Sequence, residues 1–277
     1  MEKKPIKSCS LGVDLQQFGL KKGFPFSFAV PSYIYPADIL ENLDKLKYAV
    51  DEIELLLFEG SDFSNLPTET EIEKFNTIGH ETKLRYNIHL PLDLDICAVD
   101  SSERAHAIER LNYIIALTTP LNPTTYTLHI YRKDRGAPEV WRKNIYDSLH
   151  QLLIEPGKIS IETLDYDLRE IDDILLDYGC GICLDIGHII ANGYDFAEIY
   201  HHFEQRVTIF HLHGVDLSTG KDHLALGNLP KEKLIEIGNL ILNTKFNGTL
   251  SLEIFSLEHL IASVTPLKTM FKPGVKL

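Results

Sequence analysis

Eight short apolar runs, each followed by a stretch with helical spacing, constrain this chain more than any other feature. The runs are FSFAVPSYI (26–34), EIELLLFE (52–59), KLRYNIHL (83–90), TYTLHIY (125–131), KISIETL (158–164), GICLDIGHI (181–189), VTIFHLHGV (207–215) and GTLSLEIF (248–255). Most are rich in Ile, Leu, Val, Phe and Tyr, the composition of strands covered on both faces. Helices are expected over 36–50, 68–82, 101–117, 138–154, 167–178, 195–205, 230–242 and 257–270. Pro36 stands early in the first of these, and Ser101 and Glu103 at the start of the third. Strand-then-helix alternation calls for parallel strands joined by helical crossovers. Eight units suit a closed (β/α)8 TIM barrel better than an open doubly wound sheet. The open sheet would usually have fewer strands and a glycine-rich phosphate turn, and no G-x-G-x-x-G or P-loop is present.

Length agrees with this reading. A chain of 277 residues fits one barrel domain of ~250 residues, here 1–277, with the barrel starting near residue 26. Residues 1–25 form an extension that either covers the barrel bottom or faces the substrate. Hydrophobic residues make up 44% of the chain, enough for a large core. No run of ~18 apolar residues suggests a membrane span. The opening MEKKPIKSCSLGVDL lacks the long apolar stretch of a signal peptide, so a soluble cytoplasmic protein is expected. The formal charge of −13, from 27 basic and 40 acidic residues, argues against a nucleic-acid partner, whose phosphates call for a basic face. It suits a small or cofactor-sized substrate held by metal ions. The four cysteines are Cys9, Cys97, Cys180 and Cys183. The C-x-x-C pair at 180–183 could be half a zinc site or a redox pair, but it lies in an apolar strand and has no second copy. Buried thiols are the plainer reading.

The chemistry lies near the C-terminal ends of the runs. They carry His89 (NIHLPLD), His129 (TLHIY), Glu162 (SIETL), Asp185 and His188 (LDIGH), His211 and His213 (FHLHG), and Glu253 (SLEIF). Asp222 and His223 follow in the loop GKDHLALG. A parallel barrel gathers these ends around one axis, at the face where barrel active sites lie. One such residue alone is more often a hydrogen-bonded core group. Six consecutive strands doing the same thing is better explained by a shared divalent-metal site, since each group is costly to bury without a partner. His80, His106, His150, His201, His202 and His259 fall on helices or their edges and are assigned no role.

At these residues the chain resembles the xylose-isomerase-like barrel superfamily, which includes endonuclease IV and many sugar isomerases and epimerases. The resemblance spans nearly everything after residue 25. It is most specific at SIETL, at the D-x-x-H of LDIGH and at HLHGVD…DHLALG. It implies a central ion on Glu162, Asp185, His211 and Glu253. It implies a second ion, as in endonuclease IV, on His89, His129 and the shared Glu162. A third ion there uses a strand-six His and a D-x-H motif. His188 and His223 match, but Asp222 and His223 are adjacent, so Asp222 and Asp216 are both candidates for the acidic ligand. His213 is a further candidate. One to three ions of zinc or manganese are expected, with Glu162, Glu253 and His188 carrying catalysis.

Two chemistries compete for this framework. Isomerases and epimerases need one metal and two glutamates to move a proton. Phosphodiesterases use two or three ions, which would explain the extra histidines. Metal-dependent phosphodiester hydrolysis is therefore the expected activity. The stretch HLHGVDLSTGKDH is most similar to cobamide-remodelling phosphodiesterases, which cleave the nucleotide loop of vitamin B12-type cofactors. The alternatives are a sugar isomerase or epimerase, an endonuclease IV-like enzyme, and a barrel that holds metal without turnover.

Overall fold

The structure, a computed structural model, describes residues 13–57, 59–60, 66–132 and 136–272. Cys9, residues 1–12 of the extension and part of the loop at 132–138 lie outside the described residues. In chain order the strands are β1 (Ser27–Pro31), β2 (Glu52–Leu56), β3 (Arg85–His89), β4 (Tyr126–Leu128), β5 (Ile159–Glu162), β6 (Gly181–Asp185), β7 (Val207–Leu212), β8 (Gly214–Asp216), β9 (Lys221–Leu224) and β10 (Thr249–Leu252). Eight of them close into a barrel in the order β1-β10-β7-β6-β5-β4-β3-β2, while β8 and β9 form a separate two-stranded sheet. The barrel pairings are parallel, for example His89 with Thr127 and Asp185 with His211. The β8–β9 pairing is antiparallel. This is the expected (β/α)8 barrel, and closure excludes the open sheet.

The helices are α1 (Ile39–Leu46), α2 (Glu69–Thr82), α3 (Ser101–Thr118), α4 (Pro138–Leu149), α5 (Asp172–Tyr178), α6 (Ile186–Ala191), α7 (Phe196–Phe203), α8 (Lys231–Asn243) and α9 (Leu257–Met270). Several of their starts follow side-chain caps that take up orphan N–H groups. Thr68 and Glu71 form a reciprocal capping box on α2. The first helix begins at Ile39, capped by Asp38, rather than at residue 36, and the fifth begins at Asp172, after a 3-10 turn over Leu168–Ile171, rather than at residue 167. The third begins at Ser101 as expected, capped by Asp100, which accepts from the Ser102 and Glu103 N–H groups.

All eight barrel strands are shorter than their apolar runs, and in two of them the early end shapes the site. The sixth ends at Asp185, whose side chain accepts the His188 N–H at 2.6 Å and turns the chain directly into α6. His188 therefore sits in the first turn of a helix, not on the strand. The seventh ends at Leu212, leaving His213 at the junction with the β8–β9 hairpin.

The apolar core lies between the strands and the outer helices, where Phe28, Ile53, Ile88, Ile161, Leu184 and Phe210 are buried. Inside the barrel many side chains are polar: Glu52, Glu54, Asn87, Thr127, Ser160, Thr249 and Ser251 are all buried there. Most satisfy one another across the barrel, as buried polar groups must. Glu52 accepts from Asn87 Nδ2 at 2.7 Å and Thr124 Oγ1 at 2.6 Å. Ser160 Oγ lies 2.5 Å from both Thr125 Oγ1 and Thr208 Oγ1. The described part of the N-terminal extension takes the bottom position. Asp51, just before β2, accepts the Lys22 and Phe28 N–H groups. Lys21 Nζ donates to the Lys47 and Thr82 carbonyls near the C-terminal ends of α1 and α2. Among the described residues, no helix is long and apolar enough to cross a membrane.

Candidate metal centre

His89 ends β3, His129 follows β4, Glu162 ends β5, Asp185 ends β6, His211 lies in β7, and Glu253 follows β10. Parallel register brings all six to one end of the barrel. Glu162 is their hub. Its Oε2 lies 3.2 Å from His89 Nε2 and 2.7 Å from His129 Nε2. Its Oε1 lies 3.2 Å from His211 Nδ1. The same His211 nitrogen is 3.2 Å from Glu253 Oε2 and 3.9 Å from Asp185 Oδ2. One carboxylate thus offers one oxygen to each of two groups: His89 with His129, and His211 with Asp185 and Glu253.

Hydrogen bonds outside this centre dictate which imidazole nitrogen faces inward. His89 Nδ1–H donates to the Leu90 carbonyl at 3.0 Å, which turns Nε2 inward toward Glu162. His129 Nδ1 meets the Tyr131 hydroxyl at 3.2 Å, and that hydroxyl donates to the Leu92 carbonyl at 2.8 Å. His188 and His223 hold the Thr163 and Glu253 carbonyls through Nδ1, at 3.3 and 3.0 Å. Each therefore keeps Nε2 open. Such outer partners set the tautomer of a metal-binding histidine.

His188, His213 and His223 form a second cluster at the hairpin. His213 differs from its neighbours because both of its nitrogens face protein groups. Nδ1 accepts the His223 N–H at 3.1 Å, and Nε2 lies 3.1 Å from Asp185 Oδ1. Its ring lies so close over Gly187 that a Cβ there would come within 2.0 Å of it. His213 therefore braces Asp185 and the hairpin. Of the two acidic candidates, Asp216 caps its own turn, with Oδ1 accepting from the Ser218 N–H and hydroxyl. Asp222 instead places Oδ2 3.8 Å from His188 Nε2. The hairpin register slips between Gly214 and Asp216, and His223 has φ +49°. A non-glycine residue held in that region is strained.

Electrostatics at this end of the barrel favour added positive charge. Burial opposes ionisation of Glu162, yet the His211 and His129 charges hold its carboxyl well below the usual range. Asp185 is lowered in the same way against its own burial, chiefly by His188 and His213, and Glu253 chiefly by His211. Burial pulls His89 down, but its hydrogen bond to Glu162 and the surrounding carboxylates outweigh that and push it up to about 9. His211 is likewise raised well above its ordinary value. Protons on imidazoles thus balance the acids in the ion-free protein. Asp185 Oδ2 and Glu253 Oε2 are buried with no hydrogen-bond partner. Imidazole and carboxylate donors with such orphaned oxygens fit a hard or borderline divalent cation such as manganese or zinc.

Two features of the sequence escaped the motif reading. Glu54, buried on β2, has Oε1 3.0 Å from His211 Nε2. Its signal was the E-x-E of EIELL, which puts two acids on one face of an apolar strand. Tyr131, beneath His129, was visible only as a strand residue. Cys180 and Cys183 are buried and unbridged. Burial pushes the Cys180 thiol up to about 12 and raises the Cys183 thiol well above its ordinary value, so both stay protonated.

Comparisons place this fold among known proteins. Residues 45–271 match the family described as xylose isomerase-like TIM barrel. A D-tagatose 3-epimerase-like protein is similar in structure, with a TM-score of 0.73 and 17% identity over 88% of this chain and 97% of that one. Endonuclease IV from Thermus thermophilus gives a TM-score of 0.69 and 14% identity over 88% and 98%. The 3-keto-D-glucoside 4-epimerase of E. coli gives 0.67 and 15% over 88% and 98%. At such identities the likeness is one of fold. No curated protein sequence matches the chain.

Proposed function

The chain belongs to the xylose isomerase-like TIM barrel family, and on that premise we propose that it is a divalent-metal-dependent phosphodiester hydrolase acting on a cofactor-sized substrate. One observation carries this reading: Glu162 turns Oε2 to His89 and His129 while Oε1 serves the His211 side. An epimerase needs only the second of these groups. The central position is Glu162, Asp185, His211 and Glu253. The second is His89, His129 and Glu162. The third is His188 and His223 with Asp222.

Bound ions would supply Lewis acidity and acidify a water molecule toward neutral pH. The chain's own residues have separate tasks. Hydrolysis forms one P–O bond and breaks another, so one proton must leave the attacking water and one must reach the departing oxygen. With Glu253 Oε2 facing the central position, the other oxygen of that carboxylate would accept the first. His188 is partly exposed, and Asp185 and Glu162 raise its pKa against the effect of burial. It is the donor for the second. A third ion held by His188 would instead stabilise the charge of the departing oxygen, which would then take its proton from water, so activity measured against metal stoichiometry separates two-ion from three-ion chemistry.

The likeness of HLHGVDLSTGKDH to cobamide-remodelling phosphodiesterases makes a cobamide nucleotide loop the leading substrate. The charge of −13 supports a substrate that needs no basic surface. A second reading, sugar epimerisation, is favoured by Glu162 and Glu253 both standing 3.2 Å from His211 Nδ1, as an acid–base pair on one centre would. Metal-loaded protein should be incubated side by side with a cobamide, a ketose and abasic DNA. Release of the lower-ligand nucleoside or its phosphate is expected. Ketose epimerisation beside an intact cobamide would overturn the hydrolase reading, and cleavage of the DNA alone would move the substrate to nucleic acid.

A further inference from the structure

His211 differs from the other inward-facing histidines in what stands behind it. His89, His188 and His223 each direct Nδ1 at a main-chain carbonyl, and His129 at a tyrosine hydroxyl. Behind His211 stands the Glu54 carboxylate, fully buried. Glu54 Oε2 accepts from the Ser251 hydroxyl at 2.5 Å, which fixes the carboxylate plane. Glu54 Oε1 and His211 Nε2 face each other at 3.0 Å. The two atoms are imperfectly aligned for a hydrogen bond, and neither hydrogen-bonds elsewhere. On its other side, His211 Nδ1 faces oxygens of Glu162, Glu253 and Asp185.

We propose that Glu54 is a positioning residue that holds His211 as its Nε2–H tautomer and so presents the Nδ1 lone pair to the central ion. This rests on the metal reading above. An imidazole has one proton when neutral. If that proton stood on Nδ1, the ligand position would be blocked and Nε2 would turn a lone pair toward a buried carboxylate. With the proton on Nε2, Glu54 is satisfied and Nδ1 is free to bind metal. A carboxylate behind a metal-binding imidazole also makes the ligand more basic, and removing such a partner typically weakens metal binding ~10–100-fold. His89, His129, His188 and His223 lean on neutral partners, so among these ligand histidines Glu54 gives the central position the strongest donor nitrogen.

The test is metal affinity, measured by competition with a chromophoric chelator for Mn²⁺ and Zn²⁺, in wild type, Glu54→Gln and Glu54→Leu. Glutamine keeps the shape and an oxygen acceptor but loses the charge. It should weaken the tightest site by ~10-fold, and leucine by ~100-fold. The melting temperature of ion-free Glu54→Gln should stay close to wild type, which separates positioning from simple support of the barrel. If Glu54→Leu does not fold, ¹⁵N NMR of histidine-labelled wild type decides. His211 Nε2 should carry the proton in metal-loaded protein, and Nδ1 should shift on loading. A proton on Nδ1 in the loaded protein, or wild-type affinity in both variants, overturns the proposal alone. Wild-type protein that binds neither metal stoichiometrically overturns the metal reading along with it.

Discussion

The strand-borne and hairpin-borne halves of the candidate metal centre are built by different means. His89, Glu162, Asp185 and His211 sit on barrel strands, fully or almost fully buried, with positions set by main-chain register. Asp222 and His223 sit on a two-stranded hairpin with a register slip, a strained φ at His223 and partial exposure. A barrel strand cannot shift without breaking pairing on both sides, whereas a hairpin can tilt on its junction. The strand-borne half is therefore a rigid cradle and the hairpin an adjustable edge, fastened through His213. Ligand loss should be severe in the first and mild in the second.

The sharpest way to break this contrast is Glu162→Gln, which removes the charge shared by two positions. Activity on the identified substrate should fall by about 10³-fold or more, since metal-assisted charge stabilisation is worth several kcal/mol and ~1.4 kcal/mol is tenfold. A loss no greater than that of His223→Ala, compared as kcat/KM, would dissolve the distinction.

His129→Ala comes next. It strips the second position while sparing the central one, so phosphodiester turnover should drop by about 10²-fold with one ion still bound by elemental analysis. Retained turnover would move the chemistry to the central position alone.

The proton balance gives a third, smaller effect, in stability. His89 has its pKa raised to about 9 in the ion-free protein, above ~6.5 when unfolded. Its stabilising contribution is complete below ~6.5 and disappears as pH rises through about 9. The melting temperature of chelated protein should therefore fall between about pH 6.5 and 9.5. Metal-loaded protein should gain over chelated protein across the same range, because ions replace those protons. A gain on loading that shrinks with rising pH would contradict it.

The smallest effect tests the adjustable edge. Asp222→Asn should reduce turnover only a few-fold, while Gly187→Ala, which drives a Cβ into the His213 ring, should cost about tenfold by unseating the hairpin. The reverse order would mean that Asp222, rather than the His213 brace, governs that edge.

The architecture was legible from eight β-then-α units, because strands covered on both sides leave apolar runs that no other element mimics at that spacing. The residue types of the candidate centre were legible too. His89, His129, Glu162, Asp185, His211 and Glu253 are polar groups set at the same end of apolar strands, and parallel topology carries that order into space. Strand ends were less legible at 181–189 and 207–215. There a side-chain cap by Asp185 and a hairpin at Gly214 interrupt runs whose hydrophobicity continues.

What tertiary structure alone decided is how each group points and what stands behind it. The amino-acid order specifies that position 211 is a histidine. It is the packing of β2 against β1 and β3, and the closure of the barrel, that bring Glu54 to its far nitrogen. Asp216 and Asp222 were equivalent as letters. A turn that satisfies one, and a hairpin strand that carries the other to 3.8 Å from His188 Nε2, separated them. Alternation along a strand assigns side chains to two faces, and both faces of a barrel strand are buried. Only closure reveals that the inner one holds hydrogen-bonded acids and hydroxyls, and that this polar column leads up to the candidate metal centre.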